Sequence, residues 1–358
     1  VSGVDSAAKL GLVNTALDSK GASAADSVAK LQAVADAASA VQSLADGVAG
    51  NGGVLTQGQL SALGVSGVPA AGLALLSNVL DGKSAAAVDT LSKVQTLADA
   101  VKTVALLSDG VLGNGAGLTQ AQVSALGVSG VDSAAKLGLV NTALDGKSAS
   151  GVDSVAKLQV VADAASAVHA LADGVAGNGV GLTQAQLSAL GVSGVDSAAK
   201  LGLVNAALDG QSGAALDSVA KVQSVANAAA TVLAAPAGGD APTLADLKAL
   251  GLTNVSTDNL AAVQAVIAAA DGTQVVSLSG LQGLVSQAVV TAKASFDAVK
   301  VYGTQGSSAS APTVQDYANL GVQTQDAQSL NQWMASISAN SSMVRFGFGD
   351  GDVERRPT

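Results

Sequence analysis

His169 is the only histidine in the 358-residue chain. It is therefore the one side chain whose ordinary pKa suits a general base near neutral pH. Along an internal repeat the same position holds Gln42 and Ala105. A position that accepts His, Gln or Ala is expected to be a tolerant helix surface. Cysteine is absent, which removes thiolate nucleophiles, disulfides and cysteine metal sites. Three loops rich in glycine and asparagine, 46–53, 109–117 and 173–181, combine aspartate with backbone carbonyls, the ligands calcium prefers. None has the alternating acids and terminal glutamate of an EF-hand loop. A plain turn is the favoured reading there, and calcium the weaker one. The same holds for GFGDGD at 347–352. The G-x-G spacings are followed by no strand–helix unit, so nucleotide binding is not supported. No catalytic residue, cofactor or metal site is expected, and the chain reads as a non-enzyme. A site needs unique residues in unique geometry, and nearly interchangeable copies do not provide one.

The copies are plain. LTQ-x-Q-[LV]-SALGVSGV occurs three times, ending at Val68, Val131 and Val195, with degenerate versions at 242–255 and 312–325. Residues 1–18 and 128–145 are identical, and 192–209 differ from them only at Ala206. Such self-similarity marks a repeat array. Counting from the residue after each corner glycine, the repeats span 1–64, 65–127, 128–191, 192–251 and 252–321, with a partial sixth at 322–344. A foreign tail, 345–358, holds every arginine and the sole glutamate, Glu354. Val1 falls inside the repeat motif, so the chain reads as a fragment or processed product.

The recurrent string predicts a short helix with a stop at each end. Thr183 is placed to cap it, and Gln186 three residues on completes a capping box. Leu182 and Leu187 are spaced as a hydrophobic staple. Gly191 stands where a C-cap wants positive φ, and Val192 follows to close a Schellman contact onto Leu187. Asp196 or Ser197 is then expected to cap the next helix. About two turns are too few to be stable alone, so the unit should be a corner between two longer helices. Helix A is predicted at about 196–208, with Leu201, Val204 and Leu208 as its apolar stripe and Leu203 and Ala207 beside it. Helix B is predicted at about 152–173 and helix C at 183–190. In the fifth copy A is read at 259–270 and B at 281–299; in the sixth, C at 313–320 and A around 330–337. Sixteen helices follow. The expected fold is all-α, an elongated, solenoid-like tandem array of three-helix repeats of about 64 residues.

Composition narrows the partners. Hydrophobic residues make up 49% but aromatics only 2%, so the core must be Ala, Val and Leu, built from many similar contacts in series. A formal charge of −10 argues against nucleic acid and anionic membranes. No apolar run is long enough to span a bilayer, and no signal peptide is visible. All but one of the 27 acids are aspartate, a poor mid-helix residue and a good cap. Phe296, Tyr302, Tyr317, Trp333 and Met334 gather near the end. An end-capping repeat with a larger core is the favoured reading, and a partner-contact patch through Trp333, Met334 and Tyr317 the sharper one.

The LTxxQLxALGVxGV corner followed by an NLAAV-type helix resembles helical repeats of very large bacterial surface adhesins, the biofilm-associated proteins of the type I secreted kind. The matching positions are Leu55 to Val68, Leu118 to Val131, Leu182 to Val195, Thr243 to Val255 and Asn259 to Ile267, and the likeness covers about 1–340. It implies an extracellular or cell-surface role as a repetitive spacer or matrix fibre. Glycine- and aspartate-rich calcium nonapeptides and terminal secretion or anchoring modules, which accompany such repeats, are not seen. Two alternatives stand beside the spacer. One is a self-assembling filament whose copies join head to tail. The other is a module that binds a matrix polysaccharide through repeated Ser, Thr and Gln.

Overall fold

The computed structural model describes residues 1–339; the tail, with its GFGDGD stretch, lies outside the described residues. Among the described residues there are sixteen α-helices and no β-strand, only two isolated bridges. The protein is all-α. The A helices are α1 (Ala7–Asp18), α4 (Leu73–Asp81), α7 (Ala134–Asp145), α10 (Ala198–Asp209), α13 (Leu260–Ala268) and α16 (Ala327–Ala339). The B helices are α2 (Val28–Leu44), α5 (Leu91–Leu107), α8 (Val155–Leu171), α11 (Val219–Ala234) and α14 (Leu278–Gln305). The C helices are α3 (Gln57–Leu63), α6 (Gln120–Ala125), α9 (Gln184–Leu190), α12 (Leu244–Ala249) and α15 (Val314–Asn319). Short 3-10 turns follow helix A, as at Ala149–Gly151 and Gly213–Ala215; hydrophobic periodicity carries no trace of them.

Every C helix starts on a threonine whose hydroxyl accepts the N3 amide while the N3 side chain accepts the cap amide, a full capping box. At α9, Thr183 accepts from Gln186 at 3.2 Å and its own N–H donates to the Gln186 Oε1 at 2.8 Å. The helix stops at Gly191, φ +88°. Val192 N–H then donates to Leu187 O at 2.9 Å and Gly191 N–H to Ser188 O at 2.9 Å, the Schellman pairing. Leu182, Leu187 and Val192 are buried together with Leu190. The next helix is capped by Ser197, which accepts from Lys200 N at 3.2 Å. Asp196 pairs instead with the Lys200 ammonium at 2.8 Å. The pattern is general: serine or threonine caps, and the aspartate one position earlier reaches the lysine of the first turn, as in Asp26–Lys30, Asp89–Lys93, Asp132–Lys136 and Asp217–Lys221. Seven aspartates sit in such exposed i,i+4 pairs; others do serve at helix starts, Asp326 ahead of α16 and Asp246 and Asp316 in capping boxes.

The described residues divide into two compact units. One holds 1–173, 182–193 and 212–222, the other the remaining residues. In the first, α1, α2 and α3 pack on one another, as do α7, α8 and α9. The interior is aliphatic: Leu12, Leu60, Leu63, Leu76, Leu139 and Leu190 are essentially without solvent contact, and Ala35, Ala38, Ala162 and Ala165 let the B helices approach closely. In the second, α14 is the hub for α13, α15 and α16; at 28 residues it outruns the span expected for it. The stripe of α10 differs from expectation. Leu203, Val204, Ala207 and Leu208 are buried while Leu201 is only half covered, because the buried face lies on adjacent pairs four residues apart rather than on a line through 201.

Gly191 has no atom within 4 Å of where a Cβ would stand, so only its backbone conformation restricts it. Gly191→Val should cost about 1–2 kcal/mol with no change in helix content, read as a lower midpoint in chemical denaturation.

Candidate functional site

The α-helix leaves its first amides without intrahelical partners. At three of the five B helices the first of these is taken up by a side chain from the preceding repeat. Thr15 Oγ1 on α1 accepts from Leu91 N at 2.9 Å, Asn78 Oδ1 on α4 from Val155 N at 2.8 Å, and Thr142 Oγ1 on α7 from Val219 N at 3.0 Å. The partners lie 76 or 77 residues apart, one repeat plus the step from A to B. The residue just before the second and third of these acceptors points the other way, to the repeat behind. Ser77 Oγ accepts from Leu55 N at 2.8 Å, and Asn141 takes Leu118 N and returns its amide to Leu118 O at 2.8 and 3.0 Å. In the second unit Gln264 donates to Pro242 O at 2.9 Å and Asn331 to Pro312 O at 2.8 Å. In the second and third copies two neighbouring polar residues on helix A therefore bond in both directions along the chain.

Backbone approach sharpens the junction. A Cβ at Gly11 would sit 2.8 Å from Asp89 O, and one at Gly138 would sit 2.7 Å from Asp217 O. A glycine inside helix A costs helix stability but admits the next repeat's chain. In the fourth repeat this arrangement lapses: nothing lies within 4 Å of a Cβ at Gly202, Ala206 has replaced the acceptor, and Val276 stands where the other B helices are preceded by aspartate.

The Gly/Asn loops are part of the same seam. Asp46 accepts from Val48 N and Asn51 Nδ2, both at 2.8 Å, and Asp109 likewise from Val111 N and Asn114 Nδ2. The asparagine amide first, and then the valine N–H, holds each carboxyl below the ordinary carboxylate range. Aspartates at the ends of the following A helices reach back into these loops: Asp81 accepts from Gly50 N, Asp145 from Gly113 N at 2.7 Å, and Asp209 from Gly177 N. These bonds use only part of the carboxylates: Asp81 Oδ1 and Asp145 Oδ1 are buried and have no hydrogen-bond partner. Among the described residues no group of three or more His, Cys, Asp or Glu side chains is placed to hold a metal ion.

His169 is not on a free helix surface, as the Gln/Ala variation suggests. It is half-buried in the last turns of α8, beside Gly213 of the next repeat's 3-10 turn. Gln42 is buried at the equivalent place and donates to Ala85 O and Val88 O at 3.4 and 3.1 Å. Tolerance of several residue types there reflects differing neighbours, not exposure. The aromatic group also divides. Tyr302, Tyr317 and Met334 form a buried cluster with Val299 and Leu330, and the Tyr317 hydroxyl donates to Asn331 Oδ1 at 2.6 Å. Only Trp333 of the three contact candidates is exposed, at 55%; Tyr317 and Met334 are core residues and offer no surface.

An open groove at the first junction is lined by Thr15, Ser92, Gln95, Thr96 and Asp99, the residue types of the polysaccharide alternative. Several of their polar atoms are engaged within the chain. Gln95 exchanges bonds with Ser66 and donates to Asp99, Thr15 donates to Gly11 O, and Thr96 donates to Ser92 O. The junctions organise the chain, and the sequence comparisons add no relative to them: no family model matches, and no curated protein or solved structure is significantly similar.

Two pairs of variants test the junction. Thr142→Val strands the Val219 amide and should cost about 1 kcal/mol, whereas Thr142→Asn, the residue type at 78, should be nearly neutral in denaturant unfolding. Gly138→Ala should destabilise, while Gly202→Ala should stabilise by roughly 0.5–1 kcal/mol, since only the former meets a neighbouring backbone.

Proposed function

We propose that the chain is a structural repeat segment, a tandem array of three-helix units that acts as spacer or fibre in an extracellular adhesin or biofilm matrix protein. The observation that carries the proposal is the recurrence of one inter-repeat hydrogen bond, from the A helix to the first amide of the next B helix, at three successive junctions. A bond repeated at the period of the sequence transmits one geometry from copy to copy, which is what a spacer of adjustable length requires. The resemblance of the LTQ corner to adhesin repeats supports the location.

The array predicts that deleting residues 65–127, one whole period, shortens the particle in negative-stain images by one repeat and leaves helicity per residue unchanged. A radius of gyration of about 20 Å for the intact chain, the value for a globule of this length, would exclude the array. For the location, antibodies against the segment should label unbroken cells or their surrounding matrix; labelling only after lysis would exclude a surface role.

A further inference from the structure

We propose that His169 is an acid-sensitive latch on the junction between the third and fourth repeats: neutral, its ring lies closed against Gly213, and charged, it releases the 3-10 turn and the start of the next B helix. The fit is particular to this junction. A Cβ at Gly213 would stand 2.4 Å from His169 Nδ1, so any larger residue would displace the ring. Gly213 is not among the residues with positive φ, so its backbone does not demand glycine. The corresponding residue is Ala85 where the neighbour is Gln42, and Ala149 where the neighbour is Ala105. The one junction with an imidazole is the one whose facing residue has lost its side chain.

The ring has no place for a second proton. Nε2 is buried and has no hydrogen-bond partner, while Nδ1 faces Gly213. Protonation would put a donor on Nε2 with nothing to accept it, which is costly away from water. The charged groups that face the ring are Lys136 and Asp132 beside α7 and Asp217 ahead of α11. Asp132 is committed to Lys136 and Asp217 to Lys221, each at 2.8 Å. Just past its own helix, Asp173 is also engaged. Burial first, then the Lys136 charge, lowers the His169 pKa from its ordinary 6.5, outweighing the Ala135 bond and the two carboxylates. The sign follows. Below 6.5 the opened state binds a proton that the closed state refuses, so the junction weakens as pH falls from 6.5 toward the folded-state value. Above 6.5 both states are neutral and the effect vanishes.

With one histidine in the chain, an imidazole NMR titration of protein purified without a histidine tag reports this group alone. The midpoint should fall below 6.5, and a midpoint at or above 6.5 overturns the latch. Hydrogen exchange, corrected for intrinsic rates, should show amides of 213–222 opening more often as pH drops, by at most about tenfold per unit, while amides of the first repeat do not change. His169→Gln, the residue of the first repeat, should remove that pH dependence; should it fail to fold, His169→Ala, the residue of the second, serves in its place. The same dependence in a folded variant overturns the proposal.

Discussion

The first amide of each long helix has to find an acceptor outside its own hydrogen-bond ladder. That requirement shapes the junctions. A water molecule would satisfy it, but then consecutive copies would be held by aliphatic contact alone, and Ala, Val and Leu surfaces slide past one another with little preference. Using a threonine or asparagine from the copy behind makes the acceptor directional. The amide is satisfied only when the two helices stand in one register, so a weak bond fixes an angle that the apolar core does not. The helical glycines at 11 and 138 belong to the same solution, since the hydroxyl reaches its amide only where the facing backbone can come within contact distance.

A core this poor in aromatic rings constrains the rest. Small side chains bury little area each, so adequate burial requires close helix packing along the whole chain. Short corners with hard stops provide it. The capping box holds one end of the C helix and a left-handed glycine the other; the helix itself has no freedom to extend and misdirect the chain. The C-terminal part departs from this plan. There the long helix α14 and a buried tyrosine pair supply larger pieces of apolar surface, and the polar atoms of Tyr317 and Asn331 are matched to one another inside it.

Much of this is legible in the sequence because it is local. Thr183, Gln186, Gly191 and Val192 interact within ten residues, and their types leave few alternatives. The count and order of helices follow from the same punctuation. The junction bonds are not legible, because Thr142 and Val219 are 77 residues apart and a threonine inside a helix is ordinary. A hint is present: Thr15, Asn78 and Thr142 share the capacity to accept a hydrogen bond, and the only difference among three near-identical stretches is its loss at Ala206. His169 was obscured by the opposite effect. Variation at its position resembles freedom, when each copy is fitted to a different neighbour. At the starts of the A and B helices an aspartate beside a serine gives two candidates for the cap, and the lysine four residues on decides between them.

Gly202 sets the fourth A helix apart. It weakens its helix as Gly11 and Gly138 weaken theirs, yet no chain approaches it, and Ala206 offers no acceptor to a following helix. Cost without contact is tolerance. Position 202 has room for a side chain that positions 11 and 138 lack, so a probe or a charge can be attached there without displacing a neighbouring backbone.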